Sequence, residues 1–120
     1  MAQILVAEDE AAVRDFVRRA LELDGHTVLA VEDGAQALGA LKRGHAANLV
    51  LTDIKMPVMD GIALALSVAR DWPDLPILLM TGYADQRERA AGLDDLIKDV
   101  LTKPFELATL QGAVRRALAA

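Results

Sequence analysis

Asp53 closes the apolar run LVLTD and leads into the turn-rich stretch IKMPVMDG. A carboxylate at the inner end of a buried run is costly unless it is paired, protonated or used in chemistry. Other reactive side chains stand at equivalent places: Glu8, Asp9 and Glu10 after QILVA, Thr81 after ILLM, and Thr102 with Lys103 after DVL. If these runs are neighbouring strands, their ends bring the groups together. Two carboxylates about 4 Å apart repel by roughly 4 kcal/mol at an effective dielectric of about 20, or about three pKa units. Glu8, Asp9 and Asp53 therefore cannot all remain ionised and unpaired. Lys103 could neutralise one charge, and a hard divalent cation such as Mg²⁺ would suit the all-oxygen donor set. Mg²⁺ on carboxylates serves phosphate chemistry, in which Asp53 is placed as a nucleophile. Phosphoryl transfer needs in-line positioning and neutralised equatorial oxygens, which Mg²⁺, Lys103 and the Thr81 hydroxyl would supply. The product is an acyl phosphate on Asp53.

The elements that must position these residues are legible in the apolar pattern. Residues 3–8 read as a strand, and Val13, Phe16, Val17, Ala20 and Leu21 follow at helical spacing up to Gly25. HTVLAVE is a second strand, GAQALGALKRG a helix ending at Gly44, and NLVLTD a third strand. Asp60 is placed to cap the helix IALALSVARDW, whose end Pro73 and Pro76 bound. PILLMT is a fourth strand, ADQRERAAGL a short charged helix, DVLT a fifth strand and FELATLQGAVRRAL a closing helix. Strands one, three and four are continuously apolar, as in parallel sheets covered on both faces. Alternation of strands and helices predicts an α/β doubly wound sheet, which binds ligands at the carboxyl ends of its strands.

With 120 residues and 53% hydrophobic content, the chain suits one folded domain over residues 1–120. A net charge of −5 and a pI near 4.9 argue against direct nucleic-acid or anionic-membrane binding. There is no cysteine, so disulfides and thiolate metal sites are excluded. The start MAQILVAEDE has no basic region and too short an apolar run for a signal peptide. A cytoplasmic protein is expected.

Taken singly, each chemical residue has a plainer reading. Glu8-Asp9-Glu10 could be a helix N-terminus favoured by the macrodipole, Asp53 a turn former before Pro57, and Lys103 a solvated lysine. Asp60 reads as a cap and Gly61 as its neighbour. Met56, Met59 and Met80 read as core or loop filling, and Trp72 as packing at a helix end. His26 and His45 lie beside glycines and read as neither catalytic nor metal-binding. Only the joint placement favours chemistry.

The pieces Glu8-Asp9, DIKMPVMDG around Asp53, TGYAD with Thr81 and LTKPF with Lys103 occur in the order and at the spacings of a known family. From end to end the chain resembles the receiver domain of two-component response regulators. The resemblance implies a CheY-like, flavodoxin-like sheet of five strands in the order 2-1-3-4-5 with five helices. It implies that Asp53 is the phosphoacceptor and that Asp9 and Asp53 ligate Mg²⁺ directly. Glu8 would act mainly through water and Lys55 through its backbone carbonyl. A histidine kinase or histidine phosphotransferase would be the phosphodonor and a downstream protein the output. The chain would assist only its own phosphotransfer and autodephosphorylation. The resemblance also implies a cis Lys103-Pro104 bond, against a base rate of about 5–6% for such bonds.

Within the family, AEDE, TDIKMPVMDGIALA, TGYADQRERA and LTKPFELATL are similar to the CpdR type of stand-alone alphaproteobacterial regulator. Regulators of that type are phosphorelay targets and adaptors of the ClpXP protease. Similar stretches occur in the C-terminal receivers of hybrid histidine kinases. The start at Met1 and the end just past the last helix favour a free-standing protein. One departure stands out: many receivers carry Tyr or Phe three residues before the lysine, and here that residue is Val100. A valine has no long side chain to swing, so Tyr83 is a candidate for part of the aromatic role.

Two other classes are weighed. An aspartate-nucleophile phosphatase of haloacid-dehalogenase type needs a second aspartate two residues after the first, where Lys55 stands. A flavodoxin-type module needs a phosphate loop after strand one, where AEDEAA places anions. The output surface is expected on the fourth helix, fifth strand and closing helix. That last helix would turn Leu107, Leu110, Val114 and Leu118 inward and leave Arg115 and Arg116 available.

Overall fold

The computed structural model describes residues 1–82 and 90–119. Its strands are β1 (Gln3–Ala7), β2 (Thr27–Val31), β3 (Leu49–Asp53), β4 (Ile77–Thr81) and β5 (Asp99–Thr102). Between and after them run α1 (Ala11–Leu23), α2 (Gly34–Lys42), α3 (Gly61–Asp71) and α4 (Leu107–Ala119). All four strand pairs are parallel, in the order β2-β1-β3-β4-β5. This is the expected doubly wound, flavodoxin-like sheet.

Because side chains alternate across a strand, each apolar run supplies both faces. On one face Ile4, Val6 and Leu51 meet Val17 and Leu21 of α1 and Leu110 and Val114 of α4. On the other, Leu5, Val50 and Leu79 meet Leu38 of α2 and Leu64 and Val68 of α3. Burying a leucine of this kind stabilises by roughly 1.5–3 kcal/mol. Polar groups are admitted to β3 and β4 only at their carboxyl ends. Among the described residues no helix is long and apolar enough to cross a membrane.

The helix ends follow local chemistry. Asp33 caps α2 by accepting from Gln36 N–H at 2.8 Å, and Asp60 caps α3 by accepting from Ala63 N–H at 2.9 Å. Gly25, at φ 89°, lets α1 end with His26 N–H on the Leu21 carbonyl and Gly25 N–H on Glu22.

Several expectations are corrected. The fourth predicted helix falls largely on residues 83–89, outside the described residues, as does Tyr83. Its last part, Ala91–Leu93, is a 3₁₀ turn, so four α-helices are described where five were expected. Gly92 and the following aspartates give this segment little helical propensity. Phe16 is 40% exposed, one step round α1 from the inward stripe of Val17, Ala20 and Leu21. Its ring lies 6.4 Å from that of Phe105. Leu107, the first residue of α4, is also largely exposed; the buried stripe is Leu110, Ala113, Val114 and Ala117. Arg115 is engaged with Asp24 through two hydrogen bonds, the Nε one at 2.8 Å.

Candidate functional site

The chain passes from β1 outward to β2 and then crosses back to β3, leaving a crevice at the carboxyl ends of β1 and β3. Glu8 follows β1 with its N–H still on the Val31 carbonyl of β2, and its side chain is buried. Asp53 is the last residue of β3, paired in register with Met80, so Thr81 follows one step beyond at the end of β4. Thr81 pairs with Thr102 of β5, and its carbonyl accepts from Lys103 N–H at 2.7 Å. The Lys103-Pro104 peptide is cis, as expected.

These elements converge on one ammonium. Lys103 Nζ donates to Glu8 Oε1 at 2.6 Å and lies 3.2 Å from Asp53 Oδ2. Glu8 is fully buried and Asp53 and Thr81 nearly so, whereas Asp9 is exposed. Glu8 Oε2 accepts from Glu10 N–H at 3.0 Å, and Asp53 Oδ1 accepts from Ile54 N–H at 3.0 Å. Burial pushes the Glu8 carboxyl up to about 7, against the Lys103 and Glu10 hydrogen bonds that favour its charge. Burial also raises Asp53, with Lys103 opposing. Burial works against the Lys103 charge too, but Glu8 and Asp53 outweigh it and hold its pKa above the ordinary lysine value.

One ammonium thus serves two buried carboxylates with a third beside them. Oxygens of Glu8, Asp9 and Asp53 lie within 4.8 Å of one another. An all-carboxylate set with too little positive charge fits a hard divalent cation, and Mg²⁺ fits it well. Asp9, Asp53, Lys55 and Lys103 share the wall of an open cavity of about 930 Å³. Phe16, Pro57 and Phe105 form its apolar side. The structure therefore brings the side chains of Glu8, Asp9, Asp53 and Lys103 together, with Lys55 on the cavity wall and Thr81 at the adjoining end of β4.

Two glycines fix the loop beside the site. A Cβ on Gly61 would stand 2.0 Å from the Asp53 carbonyl oxygen, and Gly61 N–H bonds the Ile54 carbonyl at 2.8 Å. Gly61 is more than a neighbour of the cap: only a residue without a side chain lets α3 start against the backbone of Asp53. A Cβ on Gly34 would stand 2.6 Å from the Met59 carbonyl, which accepts from Gly34 N–H. This pins the loop after Asp53 to α2. A glycine directly after an N-cap aspartate was the available signal.

Comparison with known proteins decides the family. The response regulator receiver domain family matches residues 4–115. The chain belongs to this family. This receiver domain is 40% identical over 116 residues to the response regulator MprA of Mycobacterium ulcerans (strain Agy99). The match covers 97% of the chain and 50% of that protein, so the chain spans about half the length of the curated relatives it matches. Among solved structures, the chemotaxis response regulator CheY4 of Vibrio cholerae superposes with a TM-score of 0.86 at 28% identity, over 98% of both chains. The signal receiver domain of a signal transduction histidine kinase from Syntrophus aciditrophicus gives 0.87 at 30% identity, over 99% of this chain and 91% of that one. Receiver domains take their signal from histidine kinases, bind Mg²⁺ at an acidic pocket and act on downstream effectors.

Proposed function

We propose that this receiver accepts a phosphoryl group on Asp53 and so switches the binding of a downstream protein. The observation that carries the reading is Lys103 Nζ shared between buried Glu8 and Asp53 at the floor of an open cavity. Lys103 opposes the effect of burial and favours the charged form of Asp53, the form whose oxygen would attack the phosphodonor. One Asp53 oxygen forms the new P–O bond as the donor's bond to phosphorus breaks. Lys103 and the Thr81 hydroxyl take the charge of the transferred group's equatorial oxygens. Glu8, Asp9, Asp53 and the Lys55 carbonyl would hold Mg²⁺, which neutralises phosphoryl charge when bound. The phosphodonor is a histidine kinase or histidine phosphotransferase, which sets the site in the cytoplasm. With Lys55 in place of a second aspartate, the protein is a switch and not a turnover phosphatase.

Incubation with acetyl phosphate and Mg²⁺ should add one phosphoryl group to the intact protein. Asp53→Asn or removal of Mg²⁺ should abolish the gain, and a gain that survives Asp53→Asn refutes the assignment. Motif likeness supports a finer reading, a CpdR-like adaptor of the ClpXP protease, and Val100 fits a response wired without an aromatic. The likeness to a histidine kinase receiver supports the alternative, a receiver belonging to a hybrid kinase. A pull-down with and without beryllofluoride separates the two: a protease component supports the adaptor, a kinase or phosphotransferase alone supports the hybrid.

A further inference from the structure

The turn between β1 and α1 carries Glu8 and Asp9, yet its own capping chemistry is weak. Glu10, at the N-cap of α1, makes no side-chain capping bond. Arg14, one helical turn on, reaches back instead. Its Nη1 donates to the Glu8 carbonyl at 2.8 Å and lies 3.5 Å from the Asp9 carbonyl. Its Nη2 lies 4.0 Å from the carboxylate of Glu32, just past β2. From the other side, Glu10 N–H donates to Glu8 Oε2 at 3.0 Å. Both carbonyls flanking Asp9 therefore face the guanidinium, and the Glu10 N–H that follows faces the Glu8 carboxylate. These peptide planes set where the Asp9 side chain leaves the backbone.

A fixed positive charge beside a site that collects carboxylates is otherwise paradoxical. By Coulomb repulsion alone, Arg14 would weaken cation binding. Its planar fork of donors offers the opposite effect, because outer contacts that orient ligands strengthen a metal site. Arg14 does not line the cavity, and its contacts at the site are with the main-chain carbonyls of the turn.

We infer that Arg14 is a positioning residue that aims the Glu8 and Asp9 carboxylates at Mg²⁺ through their main-chain carbonyls. The inference rests on the Mg²⁺ site proposed above. The two mechanisms predict opposite signs for Arg14→Met, which keeps the apolar stem and removes the donors and charge. Titration calorimetry with MgCl₂ should show affinity weakened on the order of tenfold, the low end for an outer contact. Arg14→Lys, with the charge but not the fork, should fall between that variant and the wild type. In metal-free protein, amide exchange at Glu10 should quicken in Arg14→Met while the global melting transition holds. Unchanged or tighter Mg²⁺ binding by a folded Arg14→Met protein overturns the inference. Wild-type protein that binds no Mg²⁺ overturns the underlying reading instead, so the two failures are told apart.

Discussion

Gly61 and Val58 flank the acceptor loop and impose opposite demands on it. Alanine at position 61 would drive a methyl group into the Asp53 carbonyl at 2.0 Å, contact that only backbone movement can relieve. Gly61→Ala is expected to lower stability by about 2 kcal/mol in urea unfolding and to cut phosphorylation by acetyl phosphate sharply. A variant that keeps wild-type stability and labelling would show that the close approach is unimportant. Val58 has φ 68°, with Met59 N–H bonded to the Pro57 carbonyl at 2.8 Å across it, a γ-turn. A β-branched residue is strained there, and Val58 is 85% exposed, so it gains no burial in return. Val58→Asn should therefore raise stability by about 1 kcal/mol, read as a higher denaturation midpoint with unchanged slope. Val58 was not legible as special. At Gly61 the glycine after an N-cap aspartate was the signal, but its crowding against Asp53 exists only once α3 is laid on β3.

At the scale of elements, the link between α1, β2 and α4 depends on protonation. His26 Nδ1 accepts from Ala2 N–H at 3.1 Å, and its Nε2 lies 3.8 Å from Asp24 Oδ2, while Arg115 of α4 holds Asp24. Nε2 is buried with no hydrogen-bond partner. Burial depresses the His26 pKa below its ordinary value, with Asp24 opposing. A depressed folded pKa contributes stability that is present above the unfolded value of about 6.5 and is lost as pH falls through the folded one. Glu8, shifted upward to about 7, acts the other way: its contribution grows as pH falls below that point. The His26 effect is therefore read as the difference between wild type and His26→Gln. That difference should shrink in favour of the variant as pH drops below about 6.5; a constant difference would remove His26 from the account. The strands and their parallel pairing were legible because β1, β3 and β4 are buried on both faces and so read as unbroken apolar runs, whereas their order came from the family resemblance. The start of α3 and the end of α1 were legible through Asp60 and Gly25. The Asp24–Arg115 pair was not, since it joins side chains 91 positions apart. Leu107 misled because a leucine at helical spacing looks buried until the start of α4 is placed.

For the whole molecule, the proposed switch must carry a change at Asp53 to a distant face. Thr81 is one route, through β4 to β5, where Leu79 pairs with Val100. Val100 is only partly buried against the core and has little side chain to reorient. Phosphorylation is thus expected to act by a modest population shift. Hydrogen exchange with beryllofluoride and Mg²⁺ should change protection at Thr81 and around Val100. Changes confined to the loops at Asp53 would mean that the signal leaves by another face. The site residues themselves were legible because four short motifs end at one sheet edge, which any doubly wound order gathers. What binds that edge was inferred from the charge deficit of Glu8, Asp9 and Asp53 against Lys103.

The claim on which all of this rests is that Asp53 is the acceptor. Borohydride reduces an aspartyl phosphate to homoserine, marking the acylated residue permanently. After acetyl phosphate and Mg²⁺, reduction and proteolysis, the peptide containing LVLTDIKM should carry homoserine at position 53, with Asp9 unchanged. Homoserine at position 9, or at any carboxylate other than Asp53, would contradict the account.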